Sequence, residues 1–368
     1  MQTVVTYAFT VILASLFAWL AQKFAKDKKG KYKLNKIFWY LSMLTLIFTM
    51  GFRVIGVGVD DVTYERIFST VRQIGPIQHF LNTTMEPGYL ILNYIVGLFT
   101  DDFQIMILVI ATIGIYLFYK AFEYERKNVN LFLTIFLFST IFYFYYIGII
   151  RLFLAASITA YALRFVMEKK TLKYVICIII ATTFHYSALF MIFLVYFSTE
   201  KEEKPRSMKN IILLVAIAMP IAIYFASQVI FPSMGDRYGS KTVVGNFNFA
   251  LSQFQNLPIV LITIWLYKDM AKENKNIRIY IILYAMAIVI SIYSTVLKIG
   301  RMQWYLNIAI CIILPVIIRA VLKSKYKYFT ILLVPLVLLY GGIYAYRIIY
   351  LEPTNEGLRD YSNVFFKK

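Results

Sequence analysis

Residues 174–198 read YVICIIIATTFHYSALFMIFLVYFS, and the way this run meets a membrane decides the fold. It has 25 residues and is apolar almost throughout. One membrane-spanning helix needs about 20 residues. The run is therefore too long for one comfortable crossing and too short for two full ones. Its flanks are Glu168–Lys173 on one side and Glu200–Lys209 on the other, both rich in lysine. Such loops stay on the cytoplasmic side. A run with both ends on one side must turn back. The sequence thus predicts two short or tilted helices meeting at a tip near Phe184–Ser187. His185 would lie below the outer surface, at the floor of an outward-facing cavity.

Working outward, apolar runs lie near residues 3–22, 36–53, 103–120, 131–149, 152–168, 210–231, 251–267, 278–297, 302–320 and 328–346. The opening MQTVVTYAFT lacks the positive region of a secretory signal, so the first run reads as a retained span. Lys23, Lys26, Lys28, Lys29, Lys31, Lys33 and Lys36 follow it and place the N-terminus outside. Residues 51–102 then face out, and Lys120, Arg126 and Lys127 mark the next inside loop. One crossing, 103–120, satisfies that parity. Pro87–Thr100 should therefore be a short helix that enters the outer side without crossing, which is tolerated where backbone is buried in protein or lines a wet cavity. With 174–198 counted as a pair, the expectation is an all-α integral membrane protein with about 12 transmembrane helices and both termini outside. It forms one multi-pass domain over 1–368, with external segments at 51–102 and 233–250.

Composition agrees. Of 368 residues, 60% are hydrophobic, 18% aromatic and 15% charged. A soluble domain carries nearer a quarter charged residues, disorder is incompatible with so apolar a chain, and a barrel would show short alternating strands. The net charge of +19 sits between apolar runs, so it reads as membrane orientation and not as a nucleic-acid surface. Cys177 and Cys311 fall inside apolar segments and suggest neither a disulfide framework nor a metal site. With this topology 26 of the 38 Lys and Arg lie inside and 12 outside, yet eight of the outside 12 are Arg. Orientation needs no such bias. A site that grips phosphate does, because guanidinium binds phosphate oxygens bidentately.

Five stretches carry candidate chemistry. In GFRVIGVGVDDVTYERIF, residues 51–68, three glycines permit sharp turns beside Arg53, Asp60, Asp61, Tyr64, Glu65 and Arg66. A carboxylate there could activate a hydroxyl while arginine holds an anionic leaving group. The plain alternative is a solvated loop. In MEPGYLILN, residues 85–93, Glu86 is either a cap for the short helix or a base at the membrane surface. In IGIIRLFLAAS, residues 147–157, Arg151 occupies a tight turn between spans and either snorkels or binds a lipid-linked phosphate. In ATTFHYSALF, residues 181–190, His185 is a structural histidine or a proton acceptor. In KIGRMQWYL, residues 298–306, Lys298 and Arg301 form an external cation pair suited to an anion, and Trp304 and Tyr305 read as interface residues. Arg237 is a weaker instance of the same kind, and His79 reads as an ordinary loop residue. No HExxH or CxxC is present. The reading calls for no cofactor and no metal, with Asp60-Asp61 the lesser reading as a divalent-ion site.

Taken in order, FRVIGVGVDD with Tyr64, EPGY, the span-joining Arg151, FHYSA and GRMQWYL resemble the motifs of EpsG-like polysaccharide polymerases over roughly residues 50–320. These are the Wzy-type enzymes of bacterial O-antigen, capsule and exopolysaccharide synthesis. Asp60 matches the aspartate of the family pattern, and Asp61 stands where an aromatic residue would follow. The resemblance implies a type C membrane glycosyltransferase of the bacterial cytoplasmic membrane. It would join repeat units carried on undecaprenyl pyrophosphate at the outer face, and would work with a chain-length regulator as partner.

The residues themselves suit that chemistry. Arg53, Arg151 and Arg301 would hold the pyrophosphate, and Asp60, Glu86 or His185 would activate the acceptor hydroxyl. Asp61, Tyr64, Arg66, Arg237 and Lys298 would be further substrate contacts. Two rivals compete. A flippase of lipid-linked units would need a polar pathway open to both sides, and often shows internal repeats. A membrane acyltransferase or ligase would need polar chemistry on the inner side. Neither pattern is visible in the sequence.

Overall fold

The computed structural model describes residues 2–28, 31–83, 85–199, 256–297, 300–352 and 355–365. The expected span at 210–231, the loop at 233–250, Arg237 and Lys298 lie outside the described residues.

The structure is a helical bundle with two chemically distinct ends. Helix α1 (Gln2–Lys23) runs away from the arginine-rich end, and α2 (Lys36–Gly51) returns beside it. A small hairpin of β1 (Lys26–Lys28) and β2 (Lys31–Lys33) joins them. Short helices α3 (Asp61–Ile74), α4 (Pro76–Asn82) and α5 (Pro87–Gly97) follow. Then come the long helices α6 (Phe103–Tyr124), α7 (Leu131–Gly148) and α8 (Ile150–Met167). Helices α9 (Thr171–Phe184) and α10 (Tyr186–Ser198) form the next pair. Beyond 256 lie α11 (Leu257–Glu273), α12 (Ile277–Leu297), α13 (Gln303–Lys323), α14 (Lys327–Leu351) and the short α15 (Glu356–Arg359). Six of the described helices are long and apolar enough to cross a membrane, as the charge and hydropathy pattern requires of a multi-pass membrane protein.

Polar pins hold the bundle in register. Ser42 Oγ donates to Ala14 O (2.6 Å) and meets the Tyr119 hydroxyl (2.7 Å), tying α1, α2 and α6. Thr134 Oγ1 of α7 donates to Cys311 O of α13 (3.0 Å). At the lysine-rich end the buried Glu125 carboxylate accepts from Asn128, Asn274 and Asn276 at 2.7–3.0 Å, joining two loops. A buried carboxylate is tolerable when hydrogen-bond donors surround it.

The run at 174–198 folds back on itself. Thr171 Oγ1 lies 2.9 Å from Ser198 Oγ, and Lys169 Nζ donates to Phe197 O (2.7 Å), so both ends share the lysine-rich end. The 14 residues of α9 span only about 21 Å, against a hydrocarbon core of about 30 Å. The tip at His185 is the one residue that breaks the helix, with φ −157° and ψ 116°.

The segment 51–102, expected as a loop with one short helix, contains three helices among its described residues. The C-terminal stretch crosses it as a strap. Val54 N donates to Ser362 O (3.0 Å), Val364 N to Phe52 O (2.9 Å), and the Tyr361 hydroxyl to Thr49 O (3.0 Å). Gln2, Thr3 and Thr6 of α1 and residues 360–363 line one cavity at this arginine-rich end.

Candidate functional site

At that end the chain leaves α2 at Phe52, and Arg53 turns inward. Arg53 and Asp61 are both fully enclosed, with 0% side-chain exposure. Arg53 Nη2 donates to Asp61 Oδ1 (2.7 Å) and Ile147 O (3.1 Å), Nε to Asp61 Oδ2 (3.3 Å), and Nη1 to Met50 O (2.7 Å). Gly58 N adds a bond to Asp61 Oδ2 at 2.8 Å. The glycines make this approach work. Gly56 has φ +102°, which favours glycine, and a Cβ at Gly58 would lie 2.7 Å from Ile147 O. This placement differs from the expectation that Arg53 faces a leaving group and that Asp61 touches substrate. Their hydrogen bonds are directed at each other and at backbone, so the pair acts as a strut joining the loop to the end of α7.

Asp60 has a different environment from its neighbour. It is half-buried at the N-cap position of α3 but makes no capping bond. Its Oδ2 accepts from the Tyr64 hydroxyl at 3.3 Å. Burial pushes the Tyr64 phenol up to about 12, against the opposing pull of Arg151, so near neutral pH it stays protonated and donates. The same hydroxyl accepts from Arg151 Nε at 3.3 Å.

Arg151 lies in the first turn of α8, where a cation meets the positive end of the helix dipole. Burial there demands a counter-charge. Glu86 supplies it by accepting from Arg151 Nη1. Glu86 is 1% exposed and Arg151 6%. Glu86 occupies the N-cap position of α5 yet makes no side-chain cap, so the capping expectation gives way to the ion pair. The Arg151 guanidinium also lies over the Tyr64 and Tyr89 rings, at 5.5 and 6.0 Å from their centroids. Its Nη2 has no hydrogen-bond partner among the described residues. Asp60, Tyr64, Arg151 and Glu86 thus form one continuous chain of contacts drawn from three elements.

His185 sits at the hairpin tip beside this chain. A Cβ on Gly88, two residues past Glu86, would lie 2.2 Å from Thr183 Oγ1, so α5 packs directly on the end of α9. His185 Nδ1 is 2.7 Å from Ser187 Oγ, which is 3.0 Å from the Tyr305 hydroxyl. Tyr305 is buried, and Trp304 stacks on Tyr145 with centroids 3.7 Å apart. Tyr305 is therefore an interior contact and not the interface anchor that the sequence predicted, whereas Trp304 is half-buried in its ring stack. Arg301 is exposed next to them and, with Glu352 and Asp60, contributes to the electrostatic environment of Tyr145. A cavity of about 220 Å³ adjoins this stack, lined in part by Gln303, Asn307, Arg347 and Glu352.

Arg66 is exposed on α3, away from these contacts, with no ion pair among the described residues. His79, read as an ordinary loop residue, is buried in α4 and bonded to Thr83. Sequence reasoning passed over Tyr89, Ser187, Tyr145 and Glu352. Tyr89 stands within the quoted EPGY motif, and Ser187 lies two residues after His185, so proximity to a named motif was the available signal. Tyr145 stands in the aromatic-rich stretch FLFSTIFYFYY, residues 136–146, whose rings the sequence offers as interfacial anchors or as faces for sugar stacking, whereas nothing in the local sequence marks Glu352.

The structure thus brings Asp60, Glu86, Arg151, His185 and Arg301 to one end of the bundle. No curated protein and no solved structure matches the chain significantly. A family model described as the EpsG family matches residues 36–363, which takes in every residue of this cluster, and the chain belongs to that family.

Proposed function

We propose that this membrane protein joins lipid-linked oligosaccharide repeat units into a polysaccharide. Membership of the EpsG family suggests a polysaccharide-polymerase-like role. The finer reading is that donor and acceptor are carried on undecaprenyl pyrophosphate, and that the arginine-rich end works on the outer face of the cytoplasmic membrane.

One observation carries this reading: the Asp60–Tyr64–Arg151–Glu86 chain, in which an arginine retains an uncommitted nitrogen beside a carboxylate with spare acceptor capacity. In the proposed step an acceptor sugar hydroxyl attacks the anomeric carbon of the donor. The bond from that carbon to the diphosphate oxygen breaks, and the electron pair leaves with the diphosphate. Arg151 Nη2 and Arg301 stabilise the charge that develops there, which preorganised donors do with no metal required. Asp60 is best supported as acceptor of the hydroxyl proton, because Asp61 is engaged with Arg53 and Glu86 with Arg151. Glu86 and Tyr64 position Arg151. His185, with Ser187 and Tyr305, borders the same space and orients the acceptor. Both substrates are lipid-anchored, so the site must be reachable from the bilayer, as the short α5 and the hairpin tip allow.

The test is reconstitution in liposomes with purified lipid-linked repeat units. Polymer together with released undecaprenyl pyrophosphate is the expected outcome. Movement of the units across the bilayer without a new glycosidic bond would replace the polymerase with a flippase.

A further inference from the structure

The lysines at the opposite end were read from sequence as orientation signals, and that role needs no pocket. Several of them nevertheless line one. A cavity of about 310 Å³ opens between the start of α2 and the end of α6. Its charged lining is Lys33, Lys36, Lys120 and Arg126 against a single carboxylate, Glu123.

The walls are built. Trp39 and Tyr119 pack with ring centroids 4.7 Å apart, and the Tyr119 hydroxyl is pinned by Ser42. Strand β2 is held over the opening, because Arg126 Nε donates to Tyr32 O (3.0 Å) and the Tyr32 hydroxyl donates to Gln22 O (3.2 Å). Glu123 neutralises part of the charge through Lys120 at 2.8 Å. Lys33 and Lys36 are exposed and carry no ion pair among the described residues.

The surface that continues from the cavity gives the shape of the ligand. Helices α2 and α6 run antiparallel, so Lys36 and Lys120 stand at the same level. Four-residue steps on α2 place Tyr40 and Leu44 below Lys36, and steps of four and three on α6 place Tyr116 and Ile113 below Lys120. All four are exposed, at 45%, 52%, 42% and 37%. Each helix therefore presents a cation at its end and an apolar strip running toward the middle of the bundle. A soluble anion would use only the cations. A phospholipid would use both parts.

We infer that this cavity is a binding site for one anionic phospholipid, its phosphate held by Lys36, Lys120 and Lys33 and its acyl chains laid along Tyr40, Leu44, Ile113 and Tyr116. Basic pockets between helices on the cytoplasmic side are suited to such headgroups. The site is separate from the arginine-rich end and does not depend on the polymerase reading.

The test is native mass spectrometry of the full-length protein released from detergent after incubation with phosphatidylglycerol, phosphatidylcholine or inorganic phosphate. The unmodified chain should retain one phosphatidylglycerol in preference to phosphatidylcholine. The K36Q/K120Q variant should bind it about ten-fold more weakly or worse. A control, K325Q/K327Q, removes equal charge from the same end away from the cavity and should bind normally. Equal weakening in the control would reduce the effect to diffuse charge and overturn the site. Undiminished binding by K36Q/K120Q would overturn it as well. Displacement of the lipid by inorganic phosphate alone would assign the cations to a soluble anion and overturn the lipid.

Discussion

Asp60 and Asp61 are adjacent in sequence but differ in surroundings, and the different roles we propose for them are separated by one pair of substitutions. Asp61→Asn removes the carboxylate that pairs with Arg53 in a pocket with no exposure. Breaking a buried ion pair by neutralising one partner costs about 3–5 kcal/mol, because the remaining charge stays buried. The asparagine oxygen still accepts from Gly58 N, so the lower part of that range is expected. Asp60→Asn weakens one 3.3 Å bond at a half-buried position, where the asparagine oxygen can still accept, and should cost about 0.5–1.5 kcal/mol. The two variants should thus differ by about 2–3 kcal/mol in stability. In heated detergent extracts followed by size-exclusion chromatography, Asp61→Asn should lose monodisperse protein at a clearly lower temperature, and Asp60→Asn should track the unmodified chain. Polymer formation in liposomes should show the reverse emphasis: Asp60→Asn, though folded, should make none. Adding Arg53→Met to Asp61→Asn removes the stranded charge, so the double variant should be more stable than Asp61→Asn alone. If Asp61→Asn were as stable as the unmodified chain, or if the double variant were worse than the single, the strut argument would fail. A folded Asp60→Asn protein that still makes polymer would refute the assignment of the base.

Arg151→Lys keeps the charge but not the planar fork, and polymer formation should fall by about 10²–10³-fold, measured as initial rate of undecaprenyl pyrophosphate release in protein that elutes normally. Deleting residues 355–368 removes the strap from Phe52 and Val54, so amide exchange over 52–58 should speed up and polymer should be lost; unchanged exchange would show the strap to be dispensable. Gly114 of α6 faces Phe153 so closely that a Cβ would lie 2.1 Å from its ring. Gly114→Ala should therefore destabilise by about 1–3 kcal/mol through overpacking, and Phe153→Leu in the same chain should recover part of the loss in a thermal assay. Tyr64→Phe should leave the fold intact but slow polymer formation, because the link from Asp60 to Arg151 runs through that hydroxyl.

The broad architecture was legible because crossing and orientation are local properties. Apolar length predicts a span, and lysine clusters predict a side, whatever the neighbours are. That is why the turned-back run at 174–198 and the short helix near Pro87 could be reasoned from parity alone. The small hairpin at 26–33 and two of the three helices within 51–102 were less visible, since lysine-rich and mixed-charge segments carry weak periodicity. Arginine placement at the glycine-rich loop and at the turn between α7 and α8 anticipated that these side chains share one end of the bundle. It did not distinguish Arg53 from Arg151.

That distinction belongs to packing. Arg53 sits where three glycines let the backbone close around it, and its last hydrogen bond reaches Ile147, 94 residues away. Arg151 meets Glu86 across 65 residues and Tyr64 across 87. Composition and charge order alone determined that the chain is a multi-pass helical protein with an arginine-rich end. Which guanidinium is enclosed and which keeps a nitrogen uncommitted was decided only when distant segments came together, because desolvation and ion pairing depend on neighbours in space and not in sequence.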